Sequence, residues 1–144
     1  MKKLILIFVL IGFAFAGMNA QNNVTVEVSG IENHTGKLYI ALYDAKAPFL
    51  SQQALTGEIV DITGNSTKVT FEVPEKGEYA IALFQDENNN GKLDLGEKGI
   101  PVEKYGFSNN VDPAELKRAP LFDECKFTID GSSSISISLI SANK

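Results

Sequence analysis

The residues best spaced to do chemistry lie in Asp86-Glu87-Asn88-Asn89-Asn90-Gly91-Lys92-Leu93-Asp94-Leu95-Gly96-Glu97. Counted as a twelve-position loop, the stretch has oxygen-bearing side chains at positions 1, 3, 5, 9 and 12, glycine at 6 and leucine at 8. That is the spacing with which an EF-hand-type loop wraps a hard cation. Ca2+ takes roughly six to eight oxygens, and alternate residues of a tight loop aim theirs inward. Asp86, Asn88 and Asn90 would offer side-chain oxygens and Lys92 its backbone carbonyl. Asp94 would act directly or through a water, and Glu97 would close the site as a bidentate carboxylate. Gly91 supplies the sharp turn, because a residue without Cβ takes a positive φ freely. Leu93 is expected to turn inward and tie the loop to the core. With Asn at positions 3 and 5, only three carboxylates remain. The site is therefore expected to be weak, with Kd on the order of 10⁻⁴–10⁻³ M. The plain alternative is a metal-free turn, since Asn, Asp and Gly crowd into turns and Asn-Gly favours hairpins. Such a turn has no need of Glu at position 12 or Leu at position 8.

A second candidate is Tyr105-Gly106-Phe107-Ser108-Asn109-Asn110. Aromatic faces beside hydroxyl and amide groups suit a glycan or peptide ligand, with Tyr105, Phe107, Ser108, Asn109 and Asn110 as the contacts. The structural alternative makes Phe107 a plug at the end of the core, Gly106 a positive-φ residue, and Asn109 or Asn110 the start of an Asx turn. A nucleophilic Ser108 would need a base and a group to orient it. The single histidine, His34, falls in a turn between the first two strands, so a hydrolase is the weakest reading. Asp86, Asp94 and Glu97 fit cation coordination better than a glycosidase pair, and the chain has no tryptophan to stack a sugar ring. The lone cysteine, Cys125, reads as a small buried core residue. The chain is therefore read as non-enzymatic.

These groups must be held by strands. Val24, Val26 and Val28 alternate with polar residues, which is the period of a strand with one buried face. Lys37–Tyr43 and Glu78–Gln85 are apolar on both faces, the mark of central strands. The second of these runs straight into the cation loop, where a true EF-hand would have a helix, so the loop is EF-hand-like only. Residues 44–56 read as a surface excursion with room for a helical turn. Glu58–Ile62 and Lys68–Val73 read as strands, as does the alternation of Ile135, Ile137 and Leu139 with serines. Asp112-Pro113-Ala114-Glu115 has the form of a helix start, closed off by Pro120. Leu121–Ile129 reads as a strand with Leu121, Cys125, Phe127 and Ile129 on one face. About seven strands with almost no helix predict an all-β antiparallel sandwich of immunoglobulin or transthyretin type.

Lys2 and Lys3 precede an apolar run, Leu4–Ala16, that is too short to span a bilayer. Small residues follow, so residues 1–20 read as a secretory signal peptide cleaved after Ala20, and residues 21–144 as one domain. Losing Lys2 and Lys3 takes the 13 basic residues to 11 against 18 acidic ones, a net charge of −7. That balance disfavours nucleic acid and anionic membrane surfaces as partners. No second segment is apolar enough to cross a membrane, and a single cysteine excludes an internal disulfide. The expectation is an exported monomer, periplasmic or secreted.

Two resemblances follow from these motifs. Ala82–Asp86 through Glu97–Pro101 resembles the calcium loops of bacterial surface-adhesin B-type repeats, which are β-sandwiches. The mature chain, from Val24 to the last strand, looks more closely like a family of secreted bacterial β-sandwich proteins known only as a domain of unknown function. The shared marks are the D-x-N-x-N-G-x-L-D loop, Gly99-Ile100-Pro101 and Tyr105–Asn110. The resemblance implies an exported one-domain protein and brings no activity with it. The resulting expectation is a Ca2+-supported binding or accessory protein of the bacterial envelope, with a glycan, a peptide or another envelope protein as ligand. Its alternative is a metal-free structural domain.

Overall fold

The computed structural model describes residues 21–142, so the expected signal peptide lies outside the described residues. Eight strands form: β1 (Asn22–Ser29), β2 (Lys37–Asp44), β3 (Thr56–Asp61), β4 (Thr67–Val73), β5 (Gly77–Asp86), β6 (Tyr105–Phe107), β7 (Phe127–Ile129) and β8 (Ser132–Ser138). One sheet has the order β4-β1-β8. The other runs β3-β2-β5-β6, with β7 pairing lower on β5. The fold is an all-β sandwich, as the alternation predicts. The pairing of β1 with β8 is parallel, from Asn23 opposite Ser132 to Ser29 opposite Ser138, where an antiparallel arrangement was expected. Every other strand pairing is antiparallel.

Period-two patterning builds the core. Val24, Val26 and Val28 of β1, Leu38, Ile40 and Leu42 of β2, and Ile81 and Leu83 of β5 meet between the sheets. All are buried, and burying each such side chain contributes about 1.5–3 kcal/mol. β5 is central, and its other face also carries apolar residues. There Ala80 joins Tyr105, Phe107 and Cys125 in a second cluster, with Phe49, Phe84 and Phe122 packed against it. Phe49 comes from the 45–55 excursion, which contains turns and no helix.

The segment after the cation loop departs from expectation in two places. Residues Tyr105–Phe107 form strand β6, and Gly106 there does not take a positive φ. Its role is space: a Cβ at Gly106 would lie 2.9 Å from Ile137 Cγ2. The predicted strand over Leu121–Ile129 is instead a helical turn, α2 (Phe122–Cys125), followed by β7. The cause is local. The Glu124 carboxylate reaches back to accept the Leu121 amide at 2.7 Å, which caps the turn and leaves Leu121 exposed. Helix α1 (Pro113–Leu116) forms where the sequence places it, and the Asp112 carboxylate accepts the Ala114 amide at 2.9 Å. Lys117 ends it in the left-handed conformation, so it is a single turn.

Candidate metal centre and neighbouring groove

Strand β5 delivers Asp86 to the head of the loop, fully buried. Its carboxylate accepts the Asn90 amide at 3.1 Å and the Gly91 amide at 2.8 Å. Gly91 has φ +79°, as the spacing predicts. Asn88 Oδ1 accepts the Asn90 amide at 3.1 Å, and Asn90 Oδ1 accepts the Lys92 amide at 3.0 Å. The two side-chain amides then converge on one atom. Asn88 Nδ2 donates to Asp94 Oδ2 at 2.6 Å and Asn90 Nδ2 donates to it at 2.8 Å. These bonds, Asn90 first, hold the Asp94 carboxyl below its ordinary range, with a smaller contribution from the Lys92 charge.

Asp86, Asn88, Asn90 and Asp94 are thus brought into one connected cluster. Glu97 is not part of it. It opens a short 3₁₀ turn in which its carbonyl accepts the Ile100 amide at 3.3 Å, and its exposed carboxylate has no hydrogen-bond partner among the described residues. Past Asp94 the chain folds back on itself: Leu95 bridges Pro101, and Gly96 donates to the Ile100 carbonyl at 2.7 Å. Among the described residues, no three Asp, Glu, His or Cys side chains gather closely enough to share one ion. The connected set is mixed, with two carboxylates and two side-chain amides. That composition suits a hard cation held weakly.

Sequence reasoning missed Glu103. This buried carboxylate accepts the Glu87 amide at 2.9 Å through Oε1 and the Asp94 amide at 3.0 Å through Oε2. It therefore clamps the loop at its second and ninth positions from outside the motif. A lone glutamate between Val102 and Lys104 carries no spacing signal, so only the fold reveals it.

The residues of 105–110 divide by role. Tyr105 and Phe107 lie on the outer face of β6, opposite Phe84 and Ala82 of β5. Ser108 is fully buried, donating to the Cys125 carbonyl at 2.5 Å and accepting the Ile81 amide at 2.9 Å. Asn109 Nδ2 donates to the Glu124 and Lys126 carbonyls, and Asn110 pairs with the backbone of Ser136 and Ser138. The polar half of the motif is therefore spent on joining α2 and β8 to the sheet. His34 instead meets Asn65 Oδ1 at 2.6 Å on the surface.

The loop also forms part of a groove. A cavity of about 1010 Å³ lies on the outer face of the five-stranded sheet. Tyr39, Phe84 and Tyr105 line it, together with Leu93 and Lys98–Pro101 of the loop region. The Tyr39 and Phe84 rings stack at 5.0 Å, and the Tyr39 hydroxyl sits beside Gly91. Burial pushes the Tyr105 phenol up, with the Asp112 charge adding to it, so the ring stays neutral. No described helix is long and apolar enough to cross a membrane. No curated protein and no solved structure matches the chain. Residues 26–137 match the bacterial family described as "Uncharacterized protein conserved in bacteria (DUF2141)", and the chain belongs to that family.

Proposed function

We propose that this is an exported, non-enzymatic binding module of the bacterial envelope, whose 86–97 loop takes a weakly held Ca2+ and so firms one wall of the groove. The observation that carries the reading is the convergence of Asp86, Asn88, Asn90 and Asp94 on a loop whose next residues line the cavity. Asp94 Oδ2 collects two amide N–H groups, the partial positive charge that a cation would replace. The Glu97 carboxylate, without a partner among the described residues, is the remaining acid of the set. The loop's similarity to adhesin calcium loops supports the same assignment. Export rests on the Lys2-Lys3 and apolar run at the start of the chain.

The energetics suit a support and not a switch. At about 1 mM Ca2+ and a Kd of about 0.1 mM, linkage adds about 1.4 kcal/mol. For a domain of this size that raises the melting temperature by about 3–8 °C. Thermal melts in chelator and in millimolar Ca2+ test it, and Asp94→Ala and Glu97→Ala are each expected to remove the rise. The competing reading is a loop completed by protein groups alone, which the Asp86 and Glu103 bonds to backbone amides favour. An unchanged melt across millimolar Ca2+, with no heat in calorimetry, decides for that reading. Ser108 has only backbone partners, which supports leaving catalysis out.

A further inference from the structure

The two sheets differ on their outward faces. Outside the three-stranded sheet stand Thr25, Glu27, Thr70, Glu72 and serines of β8, all polar. Outside the five-stranded sheet stand Tyr39, Ala41, Tyr43, Ala82 and Phe84. The Phe49 and Phe122 rings and Cys125 cover only part of that face. The rest is the floor of the 1010 Å³ groove, and Leu50, Ile59 and Ile100 stand 40%, 56% and 45% exposed around it. An apolar, concave surface of this volume is what a small ligand with an apolar body fills.

The charges around the groove run against those of the whole molecule. The chain carries a net charge of −5, yet the charged lining is Lys98, Lys117 and Arg118 against the single acid Glu58. Arg118 is engaged by Glu124 at 2.6 Å. Among the described residues no carboxylate lies within ion-pair distance of Lys98 or Lys117. Both lysines sit in the left-handed backbone region, at φ +59° and +57°. Two uncompensated ammonium groups beside an aromatic floor complement a ligand with one anionic head and an apolar tail.

We propose that the groove binds a free long-chain carboxylate, with the tail along Tyr39, Phe84 and Tyr105 and the head met by Lys98 and Lys117. The acidic surface elsewhere disfavours approach to an anionic bilayer, so the ligand is taken as a monomer and not from a membrane. This rests on the binding-module reading and not on the cation. The described loop is already held against the groove by Glu103, without any metal bond.

The test is a fluorescence titration of the intact mature protein with 11-(dansylamino)undecanoic acid in chelator, where calcium plays no part. Saturable binding of one probe per chain is expected. Palmitate should displace it, and hexadecanol should compete at least tenfold less well. The surface double variant K98E/K117E should weaken binding at least tenfold. Ala82→Trp, which fills the floor, should abolish it while circular dichroism shows a native spectrum. The proposal is overturned by absence of saturable binding, by equal competition from the alcohol, or by unchanged affinity in K98E/K117E. Groove-dependent dimerisation in sedimentation, or capture only by anionic vesicles, would also overturn it. A failure here with a calcium-dependent melt intact removes the ligand and leaves the cation loop standing.

Discussion

Glu103 holds the Asp94 amide at 3.0 Å while its other carboxylate oxygen holds the Glu87 amide, so one buried side chain ties together two points of the loop seven residues apart. Charge-assisted bonds of this kind contribute about 1.5–3 kcal/mol each, and their loss leaves backbone donors unmet. Glu87 and Asp94 are half-buried, so water meets part of the lost bonding, and Glu103→Ala should destabilise the domain by about 2–4 kcal/mol in place of the full sum of about 3–6. Glu103→Gln should cost less, since its one oxygen can still serve one amide. Denaturant unfolding measures the difference, and amide NMR should show Glu87 and Asp94 as the most displaced signals. A melt within a degree of wild type would remove Glu103 from this role.

Gly36 packs against the backbone where the loop begins. Its φ is +76°, and a Cβ there would collide with the Asp86 carbonyl. Gly99 also has a positive φ, of +72°, but nothing lies within 4 Å of its Cβ position. The pair separates backbone strain from collision. Gly99→Ala should cost about 1–2 kcal/mol, the left-handed penalty alone. Gly36→Ala should cost clearly more, in the range above about 4 kcal/mol that marks a displaced backbone. Equal costs in urea unfolding would show that the Asp86 strand end yields easily.

The Arg118–Glu124 pair gives a pH signature. Arg118 donates to both Glu124 oxygens, at 2.9 and 2.6 Å, and the Leu121 amide adds a third bond. Together they hold the Glu124 carboxyl at about 2, down from 4.5. A depressed folded value means that the contribution is full above 4.5 and disappears as pH falls toward 2. Glu124→Gln should thus lower the unfolding midpoint at pH 6 and converge with wild type near pH 2. A constant difference across that window would show that the pair contributes through packing alone.

Much of this was legible before the fold was known. Period-two runs fix β1, β2, β4, β5 and β8, and Asp86 through Gly91 reads correctly as a tight loop because Asx and glycine chemistry is local. What was not legible depends on partners distant in sequence. The parallel docking of β8 on β1 joins the two ends of the domain, and no local pattern encodes it. Residues 121–129 look alternating, yet a single carboxylate-to-amide bond from Glu124 turns half of them into a helical turn. The groove arises because two central strands carry apolar residues on both faces and the covering segments stop short. Strand alternation predicts the double-sided burial but not the extent of the cover.

Cys125 tests the second apolar cluster. It is fully buried beneath the groove-side aromatics, and burial, with the Glu124 charge adding, pushes its thiol up to about 11. At pH 8 roughly one thiol in a thousand would be ionised even if it were reachable. Labelling by a disulfide reagent at pH 8 should therefore wait for unfolding, with native protein reacting at least about a thousandfold more slowly than protein in denaturant. Phe49→Ala removes a ring packed against Phe107 and Phe122 and should speed native-state labelling. Phe49 is half-buried, so its loss falls below the about 3–5 kcal/mol of a fully buried ring, and it raises the open population correspondingly. Rapid labelling of the wild-type protein in native buffer would show that the outer face of β5 opens without global unfolding. The groove would then have no rigid floor.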